Sequence, residues 1–173
     1  KISILEMGLG IGLNCIISYS ESKKRNLSID YLGLEGYPLD VEMIFELNHL
    51  EQLEAEHESV VYHKMLNSNW NTKHQITDDF VLTKENVLFE NFQKVSFADL
   101  IYFDAFGARV QPELWTERIF KQMYMALNEN GVIVTYAAKG SVRRAMQAVG
   151  FEVERLPGPP GKREMLRAKK MGL

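Results

Sequence analysis

Lys1-Ile-Ser-Ile-Leu-Glu6-Met-Gly8-Leu-Gly10-Ile-Gly12-Leu-Asn14 decides the fold: an apolar strand runs into an acid, then three glycines at alternate positions, then an amphipathic helix. Glycine at such positions lets the backbone turn sharply and lets a ligand sit against bare main chain, while the following helix offers unpaired N–H groups. The spacing is G-x-G-x-G, not the G-x-G-x-x-G of dinucleotide enzymes, because Leu13 stands where their third glycine would fall. A carboxylate at the mouth of the turn, Glu6, would repel a pyrophosphate and attract the ammonium of S-adenosyl-L-methionine (SAM). The stretch therefore reads as a SAM-binding turn. The plainer alternative is a strand-turn-helix corner whose glycines serve only close packing.

Working outward, the chain supplies further β-α units. Leu13 to about Ser22 reads as a helix, and Ser20 to Asn26 as its polar exit loop. Ile29-Asp-Tyr-Leu-Gly-Leu-Glu35 reads as a second strand ending in an acid. Glu35 lies 23 residues after Gly12, the distance one β-α-β unit needs, and a carboxylate there can accept both ribose hydroxyl protons. Pro38 fits a helix first turn, with Val41, Ile44, Phe45 and Asn48 on one face. Trp70 to Gln75 reads as polar loop and Phe80 to Val87 as the third strand. Asn86 and Glu90 are nearby candidates for the adenine amino group, with neither favoured by spacing.

Ala98-Asp-Leu-Ile-Tyr-Phe-Asp104 is an apolar run ending in a carboxylate. Ligands in open α/β sheets sit at the carboxyl ends of strands, so Asp104 shares a rim with Glu6 and Glu35 and can meet the reacting group. A structural carboxylate capping loop N–H groups is the alternative. Phe106 either stacks on a base or closes the core. Pro112 opens a helix through about Leu127, with Trp115 as packing and Gly131 in a left-handed cap. Val132 to Tyr136 is the fifth strand and Ser141 to Val149 a helix. Phe151 to Arg155 and Glu164 to Arg167 form a terminal hairpin, which adds an antiparallel strand to an otherwise parallel sheet.

Composition bounds the rest. Of 173 residues, 46% are apolar and 25% charged, an ordinary balance that predicts one domain, residues 1–173, with a substantial core. No run of 18 apolar residues or export pattern is present, so the expectation is a cytoplasmic protein with no membrane association. The single cysteine, Cys15, excludes a disulfide within the chain and reads as packing. The chain begins inside its first strand, so an upstream N-terminal segment is expected to be missing. His49, His57, His63 and His74 are too scattered for a metal site. From Glu35 to Glu58 there are eight acids and no Lys or Arg, read as a solvated helical face. Net charge is −3, yet residues 139 to 173 hold nine Lys and Arg against three Glu. That asymmetry fits either an RNA partner at one end or a solvated tail.

Leu5-Glu-Met-Gly-Leu-Gly-Ile-Gly-Leu-Asn14, Tyr102-Phe-Asp-Ala-Phe106 with Gln111-Pro-Glu-Leu-Trp115, and Gly131 to Gly140 together resemble one family, the MnmC-like methyltransferase domain. The closing Val142 to Ala145 and Gly150 to Met165 look like its stand-alone form. The resemblance implies a Rossmann-like class I SAM-dependent methyltransferase fold, a mostly parallel seven-stranded sheet with a C-terminal antiparallel hairpin. It implies methyl transfer from SAM to the aminomethyl group at carbon 5 of the wobble uridine in tRNA. In bifunctional relatives a flavin-dependent oxidase domain supplies that amine, so a separate FAD-dependent oxidase is an expected partner. Two departures stand out: Leu88 replaces the acid expected after the third strand, and the leading segment that helps relatives close over the site is missing.

Expected cofactor contacts are Glu6, Gly8, Gly10, Gly12, Asn14, Glu35 and Asp104. Asp104 is also the catalytic candidate, holding the amine and taking up its proton. Phe106 or Tyr136, both candidate substrate contacts, is expected to stack on the uridine, and Lys139, Arg143, Lys162, Arg163 and Arg167 to meet phosphates. Two rival readings are a nicotinamide-dependent oxidoreductase and a non-catalytic SAM- or RNA-binding module.

Overall fold

The computed structural model describes residues 1–47, 49–52, 55–158, 161 and 163–172, with only the backbone of His49 and Gln52. Eight strands form one sheet: β1 (Ile2–Met7), β2 (Ile29–Glu35), β3 (Lys73–Thr77), β4 (Phe80–Asn86), β5 (Ala98–Phe103), β6 (Leu127–Thr135), β7 (Phe151–Pro157) and β8 (Glu164–Lys170). Their order is β3-β4-β2-β1-β5-β6-β8-β7. The inner five are parallel, while β3 and the β7–β8 hairpin add antiparallel edges. Among the described residues the helices are α1 (Leu13–Arg25), α2 (Val41–Phe45), α3 (His49–Gln52), α4 (Ser59–Asn67), α5 (Glu117–Ala126) and α6 (Gly140–Ala148). None is long and apolar enough to cross a membrane.

The period of two along each strand sorts the core into two layers. Leu5, Met7, Leu32, Leu34, Ile101, Phe103 and Ile133 face α5 and α6. Ile4, Tyr31, Phe80 and Leu82 face α1 and α4, where Cys15 packs with its Sγ 3.8 Å from Met65 Sδ. Parity places Glu6 on the second face, with Ile4. Because β2 lies on one side of β1 and β5 on the other, the connections diverge at β1 and leave a crevice at the carboxyl ends of these strands.

The structure corrects several sequence expectations. Among the described residues the sheet has eight strands, not seven: Lys73–Thr77, whose first three residues fall in the expected Trp70 to Gln75 loop, is an edge strand in which only Ile76 is buried, so it carries no readable alternation. The first helix runs to Arg25, past the expected exit near Ser22. Its polar last turn is solvent-facing, with Lys23, Lys24 and Arg25 suited to the C-terminal dipole. Asp40, not Pro38, starts α2 by accepting from Glu42 N, and Asn48 lies outside the described residues. The expected helix from Pro112 is a 3₁₀ turn (Pro112–Trp115) followed by α5, broken at Thr116, which is extended with φ −100° and ψ 160°.

The strand after α5 begins at Leu127, and Asn130, with φ 64°, takes the left-handed position expected of Gly131. Gly131 is needed for another reason: a Cβ there would lie 2.9 Å from Asn128 O and 3.2 Å from Ala98 O. Both obstacles are backbone, so they cannot swing aside. Gly131→Ala is therefore expected to lower stability by about 1–3 kcal/mol in urea denaturation, whereas Asn130→Gly is expected to be neutral or slightly stabilising. A Gly131→Ala variant as stable as wild type would contradict this packing.

Candidate functional site

Three strands deliver an acid to the crevice: Glu6 from β1, Glu35 from β2 and Asp104 directly after β5. They open onto a cavity of about 820 Å³. Its walls are the glycine turn, the Glu35–Tyr37 and Leu88–Glu90 segments, and the Asp104–Gly107 turn with Gln111, Glu113, Leu114 and Tyr136.

Each glycine in the turn has a different reason to be there. Gly8, at φ 96°, brings β1 against β5 so closely that a Cβ would sit 2.8 Å from Asp104 O. Gly10, at φ 51°, faces open space, with nothing within 4 Å of a would-be Cβ. Its N–H donates to Glu35 Oε2 at 3.0 Å. Gly12, at φ 76°, is the N-cap of α1 and does not line the cavity. Tyr62 of α4 braces this turn by donating to Ile11 O at 2.6 Å.

Asn14 joins the acids. Its Nδ2 donates to Glu6 Oε1 at 2.8 Å and to Asp104 Oδ2 at 3.0 Å, so one amide spans two carboxyls. From below, Tyr31 OH donates to Glu6 Oε2 at 2.7 Å. Glu6 is 1% exposed, and burial pushes its pKa up to about 8, against the opposing hydrogen bonds from Asn14 and Tyr31 and with help from the charges of Asp104 and Glu35. Glu6 thus lies beneath the rim, where burial works against its charged form, and Asp104 and Glu35 stand nearer the opening. Glu35 Oε1 also accepts from Tyr37 N at 3.0 Å. Five carboxyl residues line the cavity, Glu6, Glu35, Glu90, Asp104 and Glu113, and no Lys, Arg or His does so among the described residues.

The other expected site residues divide by place. Phe106 stands 68% exposed at the cavity mouth, which removes the alternative that it closes the core. Tyr136 lines the cavity and its hydroxyl donates to Ala105 O at 2.8 Å. Lys139, Arg143, Arg163 and Arg167 are outside the cavity lining. Lys139 and Arg163 are exposed. Arg143 is half-buried, with Nε enclosed and without a hydrogen-bond partner among the described residues. Arg167 is paired across the hairpin with Glu154. Lys162 lies outside the described residues.

Of the two adenine candidates, Asn86 turns back to donate to Glu35 O and Gly36 O, while Glu90 lines the cavity beside Leu88. Sequence reasoning missed Tyr31, Tyr37 and Glu113. Tyr31 reads as an ordinary buried strand residue, and only the strand register puts its hydroxyl under Glu6. Glu113 sits in a motif that was legible, but its reach to the cavity depends on the 3₁₀ turn.

Residues 51–171 match the family model described as "S-adenosyl-L-methionine-dependent methyltransferase". Among curated relatives, the tRNA 5-methylaminomethyl-2-thiouridine biosynthesis bifunctional protein MnmC of Azoarcus sp. (strain BH72) is 29% identical over an alignment covering 99% of this chain and 28% of that protein. The MnmC protein of Campylobacter hominis is 27% identical over 97% of this chain and 25% of its own length. The chain thus spans about a quarter of these relatives. Among solved structures, MnmC2 from Aquifex aeolicus superposes with a TM-score of 0.69 at 22% identity, covering 99% of this chain and 54% of that one. The antibiotic-resistance methyltransferase Kmr gives 0.57 at 11% identity, covering 99% and 87%. Both share the fold.

The Glu6 geometry has a pH signature. A carboxyl whose pKa is raised on folding favours the folded state fully below its unfolded value of 4.5 and loses that advantage as pH rises through about 8. At pH 7 the burial of Glu6 opposes folding by on the order of 3 kcal/mol. Glu6→Gln, which keeps the shape, is expected to raise the thermal midpoint of the ligand-free protein at pH 8 and to flatten its decline between pH 6 and 9. Parallel melting curves for the two proteins across that range would show that Glu6 is not held as described.

Proposed function

This chain belongs to the family of S-adenosyl-L-methionine-dependent methyltransferases, and we propose that it methylates the aminomethyl group at carbon 5 of the wobble uridine in tRNA. The observation that carries this reading is the charge of the cavity: five carboxyl residues and no basic side chain among the described residues. Such a lining suits a cationic sulfonium donor and an acceptor amine, and rejects phosphate. The names of the MnmC relatives, and the Asp-Ala-Phe and Pro-Glu-Leu-Trp motifs shared in the resemblance, support the tRNA acceptor. The family match and the acidic turn disfavour the nicotinamide-dependent alternative.

The donor set fits SAM. Glu35 would accept the ribose hydroxyls, Gly10 leaves room for the ligand against main chain, and Asp104 and Glu6 offer acid to its amino group. Glu90 and Leu88 form the wall on the adenine side. Bound SAM supplies an electrophilic methyl group. As the amine nitrogen takes the methyl and the electron pair of the S–CH₃ bond leaves with sulfur, this chain must orient that nitrogen and accept one N–H proton. Asp104 holds the amine, directs its lone pair and receives that proton directly or through water. Positioning provides most of the acceleration, since an unprotonated amine is already nucleophilic. Phe106, exposed at the mouth, is placed to stack on the uridine once it leaves the anticodon stack.

Phosphates would be held elsewhere. The register pairs Thr135 with Leu166, so the β7–β8 turn projects past the carboxyl end of β6, on the same side of the sheet as the cavity. Lys139, Arg143, Arg163 and Arg167 belong to this end, which thus offers the RNA backbone a basic edge beside an acidic pocket. On this reading the reaction takes place in the cytoplasm and an FAD-dependent oxidase is the source of the amine; the curated relatives are named bifunctional biosynthesis proteins.

Two outcomes are expected. Asp104→Ala loses most single-turnover transfer of labelled methyl to unmodified tRNA at saturating SAM, a larger loss than that in SAM affinity; undiminished transfer would remove Asp104 from the mechanism. Binding of tRNA weakens steeply with salt, each neutralised phosphate adding roughly 0.7–0.9 to the log-log slope. Lys139→Ala and Arg163→Ala are expected to reduce that slope more than Arg167→Ala, whose charge is shared with Glu154.

A further inference from the structure

The Gln111-Pro-Glu-Leu-Trp115 motif, legible in the sequence, has a second task. Trp115 is 6% exposed, with its ring edge-on to Phe103 at 5.0 Å and to Tyr136 at 6.1 Å. Its indole Nε1–H donates to Phe106 O at 2.8 Å. From the end of β6, Tyr136 OH donates to Ala105 O at 2.8 Å. Two successive carbonyls of the turn that carries Asp104 and Phe106 are thus each held by an aromatic donor, from separate parts of the chain.

The turn needs these donors. Its first residue is tied to β1 through Asp104 N to Met7 O at 3.0 Å, and its far end is tied by Val110 N and Gln111 N to Gly107 O. Between those anchors the Ala105 and Phe106 carbonyls have left the strand ladder, and partly buried backbone acceptors must find partners elsewhere. The extended Thr116 breaks the 3₁₀ turn from α5, and Trp115, the last residue of that turn, packs under the loop. An apolar ring would fill the same space against Phe103, yet it could not hold the carbonyl.

We infer that Trp115 is a positioning residue for methyl transfer: with Tyr136 it clamps the Asp104–Gly107 turn, fixing the Asp104 carboxylate and the exposed Phe106 ring where they meet the acceptor. The inference rests on the methyltransferase reading above for its link to turnover, and on the geometry alone for the clamp. Displacements of about 1 Å at a reacting pair can lower rates about 100-fold, so loss of either donor acts on the acceptor side while the donor side, built on Gly8 to Asn14 and Glu35, stays in place.

Trp115→Phe keeps an aromatic ring in the core and removes the N–H; Tyr136→Phe removes only the hydroxyl. For each, tRNA methylation is expected to show at least a tenfold loss of kcat/KM for tRNA, with S-adenosylhomocysteine affinity changed less than twofold. Hydrogen exchange of the 104–107 segment is expected to quicken at least tenfold, while β1 and β2 keep wild-type protection. Unchanged exchange in this segment in both variants would overturn the clamp, whatever the activity. A parallel loss of S-adenosylhomocysteine binding and of protection throughout the sheet would also overturn it, since that marks general damage. Wild-type protein inert toward unmodified tRNA would instead refute the proposed acceptor, leaving the exchange result to decide the clamp.

Discussion

One side-chain amide, that of Asn14, carries two hydrogen bonds on which the whole site depends. It can reach Glu6 and Asp104 together because β1 and β5 are adjacent and because Gly8 allows their ends to approach within backbone contact. Glu6 is costly to bury, and that burial raises its pKa. A cation bound above it would favour the carboxylate. Protein stability is thereby traded for a site prepared to receive positive charge.

The charge pattern divides the carboxyl end of the sheet into an acidic cavity and a basic edge. Within the cavity, acids favour a sulfonium and an amine and would repel phosphate. Beyond β6, the hairpin and the start of α6 present cations at the same end of the sheet. The Trp115 indole and the Tyr136 hydroxyl both hold the turn that carries Phe106, so this wall of the cavity is assembled from sequence segments that meet only in the fold.

Much of this was legible in the sequence because the signals were local. The glycine turn, the acids ending three strands and the terminal hairpin each announce themselves within a dozen residues, and all five inner strands lie where their apolar runs are. What was hidden depends on partners distant in sequence. Lys73–Thr77 is a strand only because β4 offers it an edge, and Gly131 is required by the close pass of the Ala98 carbonyl, while Asn130 takes the left-handed position. The sequence marks Glu6 as an acid at a ligand site, but its raised pKa comes from burial that only the fold creates, against the opposing hydrogen bonds from Asn14 and Tyr31. Trp115 was legible as packing, whereas its hydrogen bond to the Phe106 carbonyl appears only when the Pro112–Trp115 turn breaks from α5.

The most direct test of the central claim, that this acid-lined crevice receives a sulfonium nucleotide, is isothermal titration of the wild-type protein with SAM and, separately, with NADH. The account requires saturable one-site binding of SAM that Glu35→Ala severely weakens, and no heat of binding with NADH. Tight binding of NADH, or SAM binding that is indifferent to Glu35, would contradict it.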